Sequence, residues 1–509
     1  MKKTVIFSLL AACIGLLASC NLDIAPADSL TGEQMVESPT GVEDILNGCY
    51  AVMKDDPADQ DGDNNWYGRQ FYQMADFSSD DVVYGHSTTD ELNMIFKFEE
   101  RHPGLGNVTS FWATSYKIIY STNVALDVIS QDENPSDETR ALHGEALFLK
   151  AFAMHCLVRF YCKPYKAATA ASEKGLIIRE NGSDASPKAR ATLEETYACI
   201  VKMLTDAEEL MDGVNVERNS SRSFASLGAV RALLSRVYLY MGDWDKCIEY
   251  STKVINDSNY ELVDAEGFKD YFKSTWTSKE TIWCLRMLVQ DDQRSAAVAS
   301  MIMKADGCWG EEGYTPGLLA DMGQGTSLED DDVRWHFVEP VNPKNGLDLI
   351  PCSKLSWQDG LPTLFSPPFL RMAEMWLNRA EAYAHKGDTK KALDDVNEVR
   401  KHRLTANVNS HLYTESDIKT NIVDLVLKET RVEFAFEAHR FFDLMRNDKD
   451  IVRDYWGYHT NYTAGQSISS KPSLSAPGIV TKCTDPRLIF PIPTKERDNN
   501  LLCEQNDGY

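Results

Sequence analysis

Residues 238–250, YLYMGDWDKCIEY, align with residues 383–395, YAHKGDTKKALDD, on a shared Gly-Asp step. Each side of both steps carries one apolar helical face. Before the first step, Leu227, Val230, Leu234, Val237 and Met241 recur at helical spacing, and Trp244, Cys247, Ile248 and Val254 follow it. Before the second, Leu370, Ala373, Leu377, Ala380 and Ala384 make the stripe, with Ala392, Leu393, Val396 and Val399 beyond. The spacing predicts two helical hairpins, with small residues where the paired helices must approach closely.

Both hairpins look like tetratricopeptide-type units. A third apolar helix is expected through LHGEALFLKAFAMHCLVRFY (142–161) and a fourth through FWATSYKIIYSTNVALDVI (111–129). Helices thus dominate the outer thirds. Between about Tyr260 and Pro367 the helical period fades into short β-like runs such as TIWCLRMLV and Gly, Pro and Asp-rich connections. Irregular segments held on a rigid scaffold are where binding residues concentrate.

The stretch ETRVEFAFEAHRFFDLMR (429–446) crowds acids, arginines and a histidine among phenylalanines. On one continuous helix Glu429, Glu433 and Glu437 share a face, with Arg440 one turn on. The expectation is a structural ion-pair seam of Glu433, Glu437 and Arg440, with Phe434, Phe441 and Leu444 buried beside it. His439 lies roughly 200° around from Glu437, which excludes a metalloprotease-type pair.

Of 509 residues, 43% are hydrophobic and 25% charged, as in a globular chain with a large core. The net charge of −25, which loss of Lys2 and Lys3 with a leader would take to −27, repels a phosphate backbone and excludes nucleic acid as a partner. MKK followed by VIFSLLAACIGLLA reads as a signal peptide over 1–19, too short to span a bilayer comfortably. LASC then resembles a bacterial lipobox, with Cys20 acylated and residues 20–40 as the lipidated N-terminus and tether. Of the other cysteines, Cys156, Cys199, Cys247 and Cys284 read as small buried hydrophobes, whereas Cys308, Cys352, Cys483 and Cys503 could pair outside the cytoplasm.

Together LASC, HGEALFLKAFAMHCLVRFY, AVRALLSRVYLYMGDWDKCIEYSTKVI, FLRMAEMWLNRAEAYAHKGDTKKAL, EFAFEAHRFFDL and LIFPIP…LLCEQNDGY resemble the SusD/RagB-like (starch-utilisation-system D) family of outer-membrane nutrient-binding lipoproteins. The order of these segments is specific. Departures are Ala438, where glycine is common before His-Arg, and Asp507, where QNPGY is usual. The resemblance implies a mainly α fold, a SusD-like superhelix of four tetratricopeptide-like helix pairs, with a few short strands and a loop-rich binding face. It divides the chain into an N-terminal helical region (41–259), the excursion (260–367) and a C-terminal region (368–509). It also implies a cell-surface lipoprotein that delivers an oligosaccharide or other glycan to a TonB-dependent, SusC-like outer-membrane transporter. A peptide is the alternative ligand.

HExxH, GxSxG and GxxxxGK[ST] motifs are missing, so no enzyme is expected; a lipoprotein glycoside hydrolase is the alternative, since two carboxylates suffice for that chemistry. No cofactor is expected, with calcium the one alternative. For calcium, PADQDGDNN lacks acids at positions one and twelve of an EF-hand, and LEDDD reads as a solvated charge run. Trp112, Trp244 and Trp376 read as core, and Trp66, Trp276, Trp309, Trp335 and Trp357 lie in polar or Gly-rich segments. Sugar rings stack on such aromatic planes while carboxylates and amides fix their hydroxyls. The expected ligand platform is therefore Trp309 and Tyr314 with Trp66, Tyr84, Asp81 and Trp276. For the anchor, Cys20→Ser is expected to abolish labelled fatty-acid incorporation and mislocalise the protein. Label retained by the variant would contradict acylation at Cys20.

Overall fold

The computed structural model describes residues 38, 40–55, 67–84, 91–344, 347–460 and 471–509. The signal peptide, Cys20, Trp66 and PADQDGDNN lie outside them. The helices that build the scaffold are α1 (Gly41–Lys54), α2 (Tyr67–Asp76), α3 (Gly106–Ile129), α4 (Asp137–Tyr161), α5 (Leu193–Met211), α6 (Leu227–Met241), α7 (Trp244–Ile255), α8 (Met372–His385), α9 (Thr389–Lys401), α10 (Ile422–Glu433) and α11 (Arg440–Arg446). Antiparallel neighbours α3/α4, α6/α7 and α8/α9 pack as hairpins, and α7 packs on α8 so that one pair stacks on the next.

The Gly-Asp step makes the same turn in both hairpins. Gly242 (φ 72°) and Gly387 (φ 78°) adopt the left-handed conformation that releases the chain from α6 and α8, a conformation that costs glycine little. Asp243 and Asp388 then cap α7 and α9 by accepting from the Lys246 and Lys391 amides. Close packing follows from small side chains: Ser235 and Ser251 hydroxyls meet at 2.7 Å across α6/α7, and Asn378 of α8 donates to Ser235. Trp244 stacks on His385 at 4.1 Å between the two repeats.

Short antiparallel strand pairs attach the excursion to this scaffold. Val82–Tyr84 (β1) pairs with Glu312–Tyr314 (β3), and Thr281–Cys284 (β2) pairs with Pro368–Arg371, which leads directly into α8. Trp283 on β2 is fully buried, packed edge-on to Phe148 and Phe152 of α4. All ten described cysteines are free thiols, including Cys308, Cys352, Cys483 and Cys503.

The stretch 429–446 is not one helix. Helix α10 ends at Glu433 and α11 begins at Arg440, with Phe436 and Ala438 between them at φ 61°. An alanine at this φ takes a conformation that glycine accepts more easily, which accounts for the glycine common at the position of Ala438. The break separates the expected seam. Glu433 binds Arg371, Arg403 and Arg334, while Glu437 binds Arg371 and Lys354. Arg440 instead pairs with Asp80, at 2.8 Å, on the segment after α2. Phe434, Phe441 and Leu444 are buried as expected, and half-buried His439 stacks on Phe434 at 4.1 Å.

The acids belong to a larger buried network. Arg334, Lys354, Arg371, Arg400 and Arg403 meet Glu280, Asp332, Glu429, Glu433 and Glu437, five cations against five carboxylates and all at most 4% exposed. LEDDD is solvated only in its first half: Glu329 and Asp330 are exposed, whereas buried Asp332 binds Arg334 and buried Asp331 accepts from Asn407 and lies 2.8 Å from His411. Removing one partner from a buried pair leaves an uncompensated charge, at about 3 to 5 kcal/mol. Arg371→Met should therefore lower unfolding stability by about that amount in chemical denaturation. An unchanged midpoint would show that the network carries no stability.

Candidate functional site

The excursion carries exposed rings at Trp309 and Trp357. Trp309 is 53% exposed, the most exposed tryptophan among the described residues. Its indole N–H donates to the Ser295 carbonyl at 3.0 Å and its amide to the Ser300 hydroxyl at 3.1 Å. The Lys344 ammonium holds its carbonyl and lies 3.7 Å from Glu311. The indole is thus fixed along one edge with a face left to solvent, a preorganised stacking surface with polar groups around it.

Three residues on, β3 begins, and its pairing with β1 sets Val82 opposite Tyr314 and Tyr84 opposite Glu312. The two expected halves of the platform therefore do meet. Their aromatic rings, however, face inward. Tyr314 is 2% exposed, edge-on to Phe436 at 4.8 Å, with its hydroxyl 3.2 Å from Cys352 Sγ. Tyr84 is buried edge-on against Phe77 and Phe96. Neither offers a ring face to a ligand in this conformation, because strand pairing closes over side chains that the Gly-rich sequence suggested were exposed.

Asp81 is likewise engaged. Its Oδ1 accepts from Arg431 Nε at 2.6 Å, and Arg431 also pairs with Asp321. Trp276 is half-buried with the Arg286 guanidinium 3.3 Å over its ring, so one face is taken. Trp335 donates to the Met322 carbonyl. Trp357, 43% exposed at φ 66°, rims an open cleft of about 490 Å³ with Phe272, His336 and Phe337. A left-handed, exposed tryptophan is an uncommon conformation and marks this cleft as a second aromatic surface. Nothing in its local sequence beyond the Trp-Gln-Asp-Gly turn residues signals that backbone.

No group of three His, Cys, Asp or Glu side chains suited to a metal occurs among the described residues. Acid pairs near β1 are structural. Burial alone would raise the Asp80 carboxyl, but Arg440 and Arg431 hold it down at about 2. The sign follows: a depressed carboxyl contributes stability above its unfolded value near 4, and this is lost as pH falls toward 2.

Stacked helical hairpins bearing an irregular, aromatic-rich excursion define a helical-repeat binding scaffold. Comparison with known proteins makes the class specific. A profile described as "Starch-binding associating with outer membrane" matches residues 22–239, and one described as "SusD family" matches residues 366–509. Two relatives from Formosa agariphila, SusD-like protein P2 (23% identical, all of both chains) and SusD-like protein P38 (22%, all of this chain and 99% of the relative), align end to end. Among solved structures, a SusD superfamily protein from Bacteroides thetaiotaomicron superposes with a TM-score of 0.76 at 23% identity, covering 91% of this chain and 98% of its own. A putative sugar binding protein from Bacteroides vulgatus gives 0.75 at 24%, covering 92% and 98%. The chain belongs to the SusD/RagB-like family.

Asp80→Asn should destabilise the protein at pH 7, and the gap between variant and wild type should close between about pH 4 and pH 2. A gap independent of pH over that range would remove the charge pairing as its cause.

Proposed function

We propose that this protein captures an oligosaccharide at the outer membrane and passes it to a TonB-dependent transporter. Family membership supports a carbohydrate-binding protein associated with the outer membrane. The leader ending at Cys20 supports attachment by lipid, and the site lies on the excursion. The observation that carries the reading is Trp309, an exposed indole pinned by its N–H to Ser295. A pyranose has a flat C–H face that stacks on such a ring, while the surrounding hydroxyl, ammonium and carbonyl groups address its hydroxyls.

Magnitudes are consistent with transfer. A stacked ring at about 0.5 to 1.5 kcal/mol and a few net hydrogen bonds near 1 kcal/mol each give affinity in roughly the millimolar range. Weak capture suits a protein that must release its cargo. The buried Glu433 and Glu437 are held by Arg371 and have no open face to a glycosidic bond, so the densest acids support the scaffold and not hydrolysis.

Glycan and peptide arrays on the purified protein should identify an oligosaccharide, and calorimetry with that ligand should show Trp309→Ala weakening binding by up to about tenfold at unchanged Tm. Unchanged affinity in Trp309→Ala, with loss in Trp357→Ala, would move the site to the Trp357 cleft. Selection of peptides alone would replace the glycan reading.

A further inference from the structure

Buried arginines in this protein are almost all answered by oxygen. Arg101 donates to the carbonyls of Ile95, Arg487 and Leu488, and Arg453 to those of Phe77, Ser79 and Phe96. Those of the charge network have carboxylates. Arg159, on the last turn of α4, has neither a backbone carbonyl nor a carboxylate partner among the described residues. It is nine-tenths buried, and its partners are two neutral groups, Cys156 Sγ at 3.5 Å and the Tyr240 hydroxyl, with the Nε–H unmatched. A guanidinium has five N–H donors and remains charged in proteins. Phe71, Phe442 and Tyr240 lie 4.9, 4.6 and 5.7 Å from its Cζ, so ring faces surround it. Cation–π attraction offsets only part of the cost of taking the ion out of water, and neither the rings nor the Tyr240 hydroxyl brings a negative charge to it. The acids on neighbouring elements, Glu381 and Asp443, are both bound to Arg446.

Arg159 also lines a cavity. With Val158, Tyr197, Tyr240, Phe442 and Arg446 it encloses about 20 Å³, and the rim is formed by Lys163, Pro164 and Tyr165. That is room for one or two water-sized atoms, which matches a halide or the two oxygens of a carboxylate and is too small for a sugar. Beyond the rim, Lys163, Pro164, Met445 and Ile489 are shared with an open cleft of about 490 Å³. The cavity lies between α4, α6 and α11, on the helical scaffold and apart from the excursion.

We propose that this cavity is a binding site for a singly charged anion, with Arg159 as the residue that holds it. The ligand is either a free halide or the carboxylate head of an organic acid whose body lies in the adjoining cleft. In both cases the anion accepts from the guanidinium edge and neutralises a charge that the aromatic surroundings leave uncompensated. The site is independent of glycan capture, so its failure would leave that reading intact.

The test titrates the mature chain with sodium chloride, bromide, acetate or hexanoate, ionic strength being held constant with sodium sulfate, whose doubly charged four-oxygen anion does not fit the cavity. A saturable rise in Tm with the singly charged anions over sulfate, lost in Arg159→Met, is expected. Crystals grown in bromide should show an anomalous peak within hydrogen-bond distance of the Arg159 guanidinium, a readout that needs no variant to fold. Arg159→Lys, which keeps the charge on a smaller donor, should retain a weakened shift. Hexanoate binding at least tenfold tighter than acetate would assign an organic acid, and equal or weaker binding a free ion. A shift that is unsaturable or unchanged in both variants, or bromide crystals without a peak at Arg159, would overturn the proposal.

Discussion

The constraint on which the structure depends is charge balance in a place that water does not reach. Arg371 stands at the junction where β2 meets the strand leading into α8, and it binds Glu280, Glu433 and Glu437 at 3.0, 2.6 and 2.8 Å. Taking these ions out of water costs several kcal/mol each, so every member must be matched for the rest to be tolerated. The matching groups come from separate parts of the chain: Glu280 before β2, Arg334 and Lys354 from the excursion, Arg403 after α9, and Glu433 at the end of α10. The observed arrangement of the excursion on the helices satisfies all of them together.

That arrangement sets what the excursion can present. With β2 and the network holding one end, and β1 pairing with β3 at the other, the side chains between are sorted into those that close the junction and those that stay outside. Tyr84, Asp81 and Tyr314 fall on the first side, Trp309 and Trp357 on the second. Arg431 and Arg440 extend the same logic to the N-terminal region by binding Asp81 and Asp80, so that the segment after α2 is fixed to the C-terminal helices. The proposed binding surface is therefore irregular in backbone and yet held by a buried, ion-paired frame.

What was legible in the sequence was local. The apolar stripes gave the hairpins, the Gly-Asp steps gave their turns, and TIWC gave a strand, because each depends on residues within a few positions. What was not legible depends on distant partners. Glu433, Glu437 and Arg440 were recognisable as structural, but their partners were not, since Arg371 is distant in sequence from Glu433 and Asp80 more so from Arg440. The helix break at Phe436 and Ala438 had a faint signal, the alanine standing where glycine is common, and helical periodicity alone overrode it. Tyr84 and Tyr314 illustrate the same limit: polar, Gly-rich neighbours suggested exposed rings, and a three-residue strand pairing buried both. The exposure of Trp309 was legible because its indole and amide bond to Ser295 and Ser300, near it in sequence, and the residue stays 53% exposed.

The division of labour between buried charges and an exposed indole is the central claim, and a crystal structure with the array-selected oligosaccharide bound tests it most directly. The account predicts a sugar ring stacked on the open face of Trp309, with Arg371, Glu433 and Glu437 still paired and out of reach of the ligand. A ligand seated against Glu433 or Glu437, or bound on the helical hairpins away from the excursion, would contradict it.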